Sequence, residues 1–226
     1  MVRDFTVAIP ARWGSSRLPG KPLALIGPWP LVRHVYERAR RSGAGRVLVA
    51  TDDQRILEAV SAFGGEAVLT DPHCPSGTDR VAQALASQPP GVVVNVQGDE
   101  PFMDPQLIRQ VAEALFTEDP PHMATAAHGI TDAEACASPH VVKVVLNLRH
   151  EALYFSRAPI PWDRDGPREE VLRHVGIYGY RPGFLQAFAR MAPTPLEMRE
   201  KLEQLRALEN GCRVAVVRAG VPAPGV

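Results

Sequence analysis

The chain has 226 residues, 45% of them hydrophobic and 22% charged, enough to bury a core in one domain. Its 25 Lys and Arg balance 25 Asp and Glu, which argues against a nucleic-acid-coating or membrane-surface protein, so any basic function has to be local. Cys74, Cys136 and Cys212 are odd in number, widely spaced and form no C-x-x-C pair, which speaks against a disulfide framework or structural zinc. The N-terminal apolar stretch is too short for a signal peptide and no segment approaches transmembrane length, so a cytoplasmic protein without membrane insertion is expected.

In chain order, the first apolar run is a strand at Phe5–Ile9. It opens into a loop that holds Gly14, Ser15, Ser16 and Gly20 with three cations, Arg12, Arg17 and Lys21. Glycines let backbone N–H groups approach phosphate oxygens, and guanidinium and ammonium groups neutralise their charge. The loop is not a Walker A sequence: five residues separate Gly14 from Gly20, and Pro22 follows the lysine where a Ser or Thr would stand. Nor is it a GxGxxG fingerprint. A polar surface loop is the plain alternative; three cations and two glycines directly after an apolar strand favour an anion site.

Amphipathic segments at Pro30–Arg41, Gln54–Phe63 and Thr78–Ala86 alternate with strands at Arg46–Ala50, Glu66–Leu69 and Val92–Val96. This alternation predicts an α/β fold, a doubly wound, mostly parallel sheet with helices on both faces. Ligands of such sheets bind at the carboxyl ends of the strands. The unusual residues cluster there: the basic loop, Thr51-Asp52-Asp53, and Gln97-Gly98-Asp99-Glu100-Pro101. Asp99, at a strand end near a polyphosphate cradle, is a natural Mg²⁺ ligand, since that ion takes few carboxylates and fills its shell with water and phosphate oxygens. The alternative is an acidic turn leading to the next helix, whose cap is Asp104 before Pro105. Ser76-Gly77-Thr78-Asp79 reads as a helix N-cap.

From about Met123 the texture changes. Strands at Met123–His128, Val141–Leu146, Ala152–Ser156 and Gly176–Tyr180 predict a smaller mixed or antiparallel extension. Pro159–Arg173, rich in proline and charge, reads as a mobile loop or short excursion. Pro195–Glu209 reads as one helix, with Leu196, Met198, Leu202, Leu205 and Leu208 on its apolar face and Gly211 as its stop. A last strand is expected at Val214–Val217. The whole is expected to be a single domain over residues 1–226, with a nucleotide-binding part to about 122 and the remainder sugar-binding and dimerising.

The segments PARWGSSRLPGKPL, ATDD, SGTDR, NVQGDEP, VKVV, YFSRAPIPWDRD, RHVGIYGYR and LEQLR, in this order through almost the whole chain, resemble the 3-deoxy-manno-octulosonate (KDO) cytidylyltransferases. The first loop and the acidic strand end are shared by nucleotidyltransferases of several kinds; the pairing of QGDEP with YFSRAPIPWDRD and HVGIYGYR is far more specific to the KDO enzymes. The resemblance implies a Rossmann-like nucleotidyltransferase sheet and the reaction of CTP with KDO to CMP-KDO and pyrophosphate, for lipopolysaccharide-type glycan synthesis. It implies Mg²⁺, a homodimer, and no nucleic-acid partner. By resemblance Pro10, Ala11, Arg12, Arg17, Lys21, Ser76, Gly77, Thr78, Arg80, Gln97 and Asp99 bind the nucleotide, with Lys21, Asp99 and Arg12 as the catalytic set and Asp99 as the metal ligand. Gln97, Arg157, His174, Tyr178, Glu203 and Gln204 line the sugar pocket, Arg157 taking the KDO carboxylate. Read without the family, His174 is a surface histidine and Glu203 and Gln204 are a solvated helix face. The family pattern continues past a Gly-Val dipeptide into an acidic segment whose first aspartate also binds metal. This sequence ends at Gly225-Val226; if that is the full length, the resemblance implies that the second metal carboxylate is missing and that the site borrows a ligand such as Glu100 or works poorly. An acceptor such as sialic acid or 8-amino-KDO, or an inactive CTP-binding relative, are the alternatives.

Overall fold

A computed structural model of the chain describes residues 4–14, 18–87, 91–165 and 170–220. The strands are β1 (Phe5–Ala11), β2 (Leu25–Ile26), β3 (Trp29–Pro30), β4 (Arg46–Thr51), β5 (Glu66–Leu69), β6 (Val92–Val96), β7 (Met123–Ile130), β8 (Lys143–Leu146), β9 (Ala152–Ser156), β10 (Val171–Tyr180) and β11 (Val214–Arg218). The α-helices are α1 (Leu31–Arg41), α2 (Gln54–Ala62), α3 (Gly77–Ala84), α4 (Pro105–Glu113), α5 (Ala133–Ala137), α6 (Phe184–Ala189), α7 (Pro195–Glu200) and α8 (Leu205–Glu209).

The main sheet runs β11-β7-β10-β6-β1-β4-β5, with β8 and β9 hanging from β10. β1 pairs in parallel with β4 and β6, and β4 with β5. β10 enters antiparallel between β6 and β7, and β11 lies parallel to β7. The near-continuous apolar runs of β1 and β6 are what a strand covered on both faces requires. Alternate side chains serve opposite layers: Phe5, Val7 and Ile9 pack with α1, α2 and α4, whereas Ala8 joins the cluster of α3, α6 and α8. Four helix starts are fixed by short polar side chains that accept a backbone N–H: Asp53 from Arg55, Ser76 from Asp79, Asp104 from Gln106 and Asp132 from Ala135.

Two expectations are corrected. The strand expected from Gly176 begins at Val171, because Val171–Val175 pairs with Ile130–Ala126 of β7 before a register shift between Val175 and Gly179. Arg173, His174 and Gly176 interrupt the apolar signal, and pairing with β7 overrides it. The single helix over Pro195–Glu209 is two short ones. It breaks at Lys201, whose left-handed backbone (φ 55) caps α7. Arg157 supplies the reason: its Nε–H donates to the Glu200 carbonyl and its Nη2 to that of Lys201, acceptors that continuing helix turns would have used. Leu202 and Leu205 remain buried, Met198 is exposed, and Gly211 (φ 70) ends α8.

Candidate active site

The carboxyl ends of β1 and β6 and the start of α3 surround a cavity of about 560 Å³. Pro10, Ala11, Arg12, Lys21, Ser76, Gly77, Arg80, Gln97 and Asp99 all line it. Thr78 sits one residue behind the lining, buried. Arg17, with Ser15 and Ser16, lies outside the described residues. Two glycines make the closure possible. A Cβ on Gly98 would stand 2.6 Å from the Pro10 carbonyl oxygen, so the QGDEP turn lies against the end of β1 only as glycine. Gly20, at φ 69, donates its N–H to the Trp13 carbonyl at 3.0 Å and closes the basic loop; a Cβ there would lie 2.8 Å from the Trp13 ring.

Lys21 Nζ donates to Asp99 Oδ2 at 3.0 Å across 78 residues of sequence, and both side chains keep solvent access. Arg12 is exposed and makes no hydrogen bond or ion pair with the described residues. Burial first, and the neighbouring Asp99 second, push the Glu100 carboxyl up. Among the described residues no three His, Cys, Asp or Glu side chains gather as a metal cluster. The donor set still fits Mg²⁺ beside a triphosphate: one accessible carboxylate, with phosphates and water completing the shell.

Arg80 behaves differently from the other cations. It is 3% exposed, and its guanidinium donates to Thr70 Oγ1 (2.6 Å), the Asp71 carbonyl (3.4 Å) and Asp52 Oδ2 (3.2 Å). Asp52 Oδ1 in turn accepts from the Trp13 N–H at 2.9 Å. Asp52 therefore ties the basic loop to α3 through a buried ion pair. Removing one partner of such a pair strands the other charge, so Asp52→Ala is expected to lower unfolding free energy by about 3 kcal/mol. Urea denaturation of the variant measures it, and an unchanged midpoint would contradict the assignment. The Thr51-Asp52-Asp53 strand end marked this region in the sequence, but nothing local paired Asp52 with Arg80.

Behind the cavity, Glu203 receives Thr78 Oγ1 at 2.6 Å and lies 2.9 Å from Ser76 Oγ. The Ser76 hydroxyl is also 2.7 Å from Asp79 Oδ2, two carboxylate acceptors for one proton. Gln204, 2% exposed, accepts from the Tyr178 hydroxyl at 3.1 Å, and the Tyr178 ring lies against that of His174, 5.5 Å between centroids. Gln97, Glu203, Gln204, Tyr178 and His174 thus extend inward from the cavity. The Gln204 Nε2 and the carboxamide of fully buried Asn95 have no hydrogen-bond partner among the described residues. Asn95, on β6 opposite Tyr178, was not singled out in the sequence; a polar residue within VVVNV was its only signal. Arg157 is not part of the cavity lining. Its Nε, Nη1 and Nη2 donate to the carbonyls of Glu200 (2.7 Å), Pro139 (2.9 Å) and Lys201 (3.4 Å), leaving a second N–H on each terminal nitrogen. No carboxylate among the described residues pairs with it.

Thr125 Oγ1 donates to the Ile177 carbonyl at 2.7 Å, so it accepts from His174 Nε2 at 2.9 Å; the neutral imidazole then carries its proton on Nε2 and presents Nδ1 as an acceptor. Desolvation pushes His174 down to about 3. The unfolded chain binds this proton near pH 6.5, so the contribution is complete above that pH and is lost as pH falls toward 3. His122, lowered by burial and by Arg181 and Arg213, acts with the same sign. His174→Gln is expected to flatten the fall in urea midpoint between pH 7 and pH 5; parallel profiles for the two proteins would refute it.

A cytidylyltransferase family profile matches residues 6–214. The chain belongs to the cytidylyltransferase family. It is 51% identical over 236 residues to a 3-deoxy-manno-octulosonate cytidylyltransferase of Idiomarina loihiensis, covering 99% of this chain and 93% of that protein. It is 50% identical over 234 residues to the protein of the same name from Thioalkalivibrio sulfidiphilus, covering 99% and 94%. A solved structure of CMP:2-keto-3-deoxy-manno-octonic acid synthetase complexed with CTP superposes on this cytidylyltransferase with a TM-score of 0.94 at 43% identity. That match covers 99% of this chain and 93% of the other. A cytidylyltransferase from Leptospira borgpetersenii, 16% identical with a TM-score of 0.62, shares the fold. Among the described residues of this cytidylyltransferase no helix is long and apolar enough to cross a membrane.

Proposed function

We propose that the protein transfers CMP from CTP to KDO, yielding CMP-KDO and pyrophosphate. The observation that carries this reading is the one cavity in which Arg12 and Lys21 meet Asp99, in a chain whose fold matches a CTP-complexed KDO-activating enzyme. The anomeric hydroxyl oxygen of the sugar attacks the α-phosphorus in line. The new P–O bond forms as the α–β anhydride bond breaks, pyrophosphate leaves with that electron pair, and the hydroxyl proton is released. Such a reaction needs positioning and charge neutralisation more than a covalent intermediate. Arg12 and Lys21 supply positive charge toward the triphosphate, and Arg17 belongs to the same loop by sequence. Gly77 and Gln97 shape the nucleotide side, and Arg80 holds the loops around it. Asp99 would hold Mg²⁺, which when bound neutralises phosphate charge and orients the attacking oxygen.

On the acceptor side Arg157 meets the sugar carboxylate as a planar fork. Tyr178, His174, Glu203 and Gln204 offer the mixed donors and acceptors that a polyhydroxylated ring needs, and the unpartnered Gln204 Nε2 supports that reading. A cytoplasmic location belongs to the same proposal, and the three free cysteines fit a reducing compartment. Exposed Leu153 on β9 and exposed Leu148 in the turn between β8 and β9 support a homodimer through that extension. Pyrophosphate release with CTP, KDO and Mg²⁺ tests the function. Turnover is expected with KDO well above that with sialic acid or 8-amino-KDO; no release, or equal release with another acceptor, overturns the assignment.

A further inference from the structure

Lys143, on β8, is the second of three lysines in this arginine-rich chain and is completely buried. Burying an ammonium is costly unless its hydrogens are satisfied, and here all three are. Nζ donates to the carbonyls of Ser138 (2.9 Å), Val141 (2.6 Å) and Arg157 (2.6 Å). Glu200 grips the same residue from the other side: Oε2 accepts the Arg157 N–H at 2.9 Å, while Oε1 accepts the Ser156 hydroxyl at 2.7 Å. The backbone of Arg157 is therefore held at its N–H by a carboxylate and at its C=O by an ammonium.

The side chain is held by the same framework. Arg157 Nη1 rests on the Pro139 carbonyl, and Pro139 lies in the 138–141 turn that Lys143 binds at two carbonyls. Lys143 thus fixes both the main chain that carries the guanidinium and one of the three carbonyls that aim it. Lys143 and Arg157 together bring two positive charges, and Glu200 one negative charge spent on Ser156 and the Arg157 N–H. The guanidinium keeps free N–H groups and a net positive setting, which suits an anionic ligand.

We infer that Lys143 is a positioning residue for the acceptor sugar, acting through Arg157 to hold the guanidinium where the sugar's carboxylate docks. This rests on the reading of Arg157 as the carboxylate anchor. A small displacement of a substrate-orienting group costs roughly ten- to a hundredfold, whereas a purely structural role would weaken both substrates together.

The test measures KM for KDO, KM for CTP and the Kd of CTP for Lys143→Gln, Lys143→Met, Arg157→Ala and the double variant Lys143→Gln/Arg157→Ala. Glutamine retains up to two N–H donors, so it keeps the turn if methionine, which takes the Nζ donor away from all three carbonyls, does not fold. The KDO KM is expected to rise about tenfold in Lys143→Gln, with CTP Kd within about twofold of the parent. In the Arg157→Ala background the same change should add nothing, the mark of residues that act as a unit. An unchanged KDO KM in Lys143→Gln beside a raised one in Arg157→Ala overturns the inference alone. So does an equal loss of CTP affinity, or full additivity in the double variant. An unchanged KDO KM in Arg157→Ala overturns the anchor reading and the role of Lys143 with it.

Discussion

Asp99→Asn is expected to abolish pyrophosphate release with CTP, KDO and Mg²⁺ while leaving the fold intact. Asp99 lines the cavity with its side chain 52% exposed, and among the described residues it forms an ion pair with Lys21 alone. Exposed pairs of this kind contribute about 0–1 kcal/mol, so the urea midpoint should hardly move. The asparagine keeps the shape of the side chain and loses the negative charge on which a divalent cation depends. Losing several kcal/mol of transition-state charge stabilisation corresponds to roughly three powers of ten in kcat. Mg²⁺ titration of activity at saturating CTP checks the cause, since a metal ligand shifts that midpoint upward as well as lowering the plateau. Parental activity in Mg²⁺ would remove Asp99 from the metal-binding role.

Arg157→Ala should spare CTP and cost the sugar. Arg157 is not part of the lining of the cavity that holds Lys21 and Asp99, and its three backbone acceptors lie at Pro139, Glu200 and Lys201. Charge-assisted hydrogen bonds contribute about 1.5–3 kcal/mol each, so losing a fork to the carboxylate should raise KM for KDO about a hundredfold. The lysine variant should recover only part of this, because an ammonium cannot grip a carboxylate with two parallel bonds. Steady-state kinetics with each substrate varied in turn separates the two KM values. A rise in the CTP term equal to that in the sugar term would show that the residue props up the whole site.

The parallel half of the fold was legible because its signals are local. β5 and β6 occur at the expected residues, and β1 and β4 start at the expected Phe5 and Arg46. The caps Ser76 and Asp104 were readable because a cap and the N–H it accepts lie two or three residues apart. The same locality explains the misses. Nothing between Pro195 and Glu209 announces the break at Lys201, since the group that takes the helix carbonyls is Arg157, more than 40 residues earlier. The early start of β10 was hidden in the same way, because pairing with β7 compensates for an irregular apolar pattern.

Arg80 shows how a correct location can leave a contact set unread. It lines the cavity as expected, yet its guanidinium is committed to Asp52, Thr70 and Asp71. Glu203 and Gln204 follow from the helix break: placed between α7 and α8, they turn toward Ser76, Thr78 and Tyr178, where a continuous helix read from sequence presents them to solvent.

By itself, the sequence determined that a basic glycine loop and an acidic strand end would share one edge of a parallel sheet. Each follows its own strand directly, and the strand-end rule brings such loops together. The tertiary structure decided which polar groups are held and which remain available. The clasp of Glu203 on Ser76 spans 127 residues, and the Asp52–Arg80 strut and the Lys143 seat under Arg157 span 28 and 14. Those bonds depend on a folded backbone to set their distances and exclude water, so no local pattern in the chain could encode them.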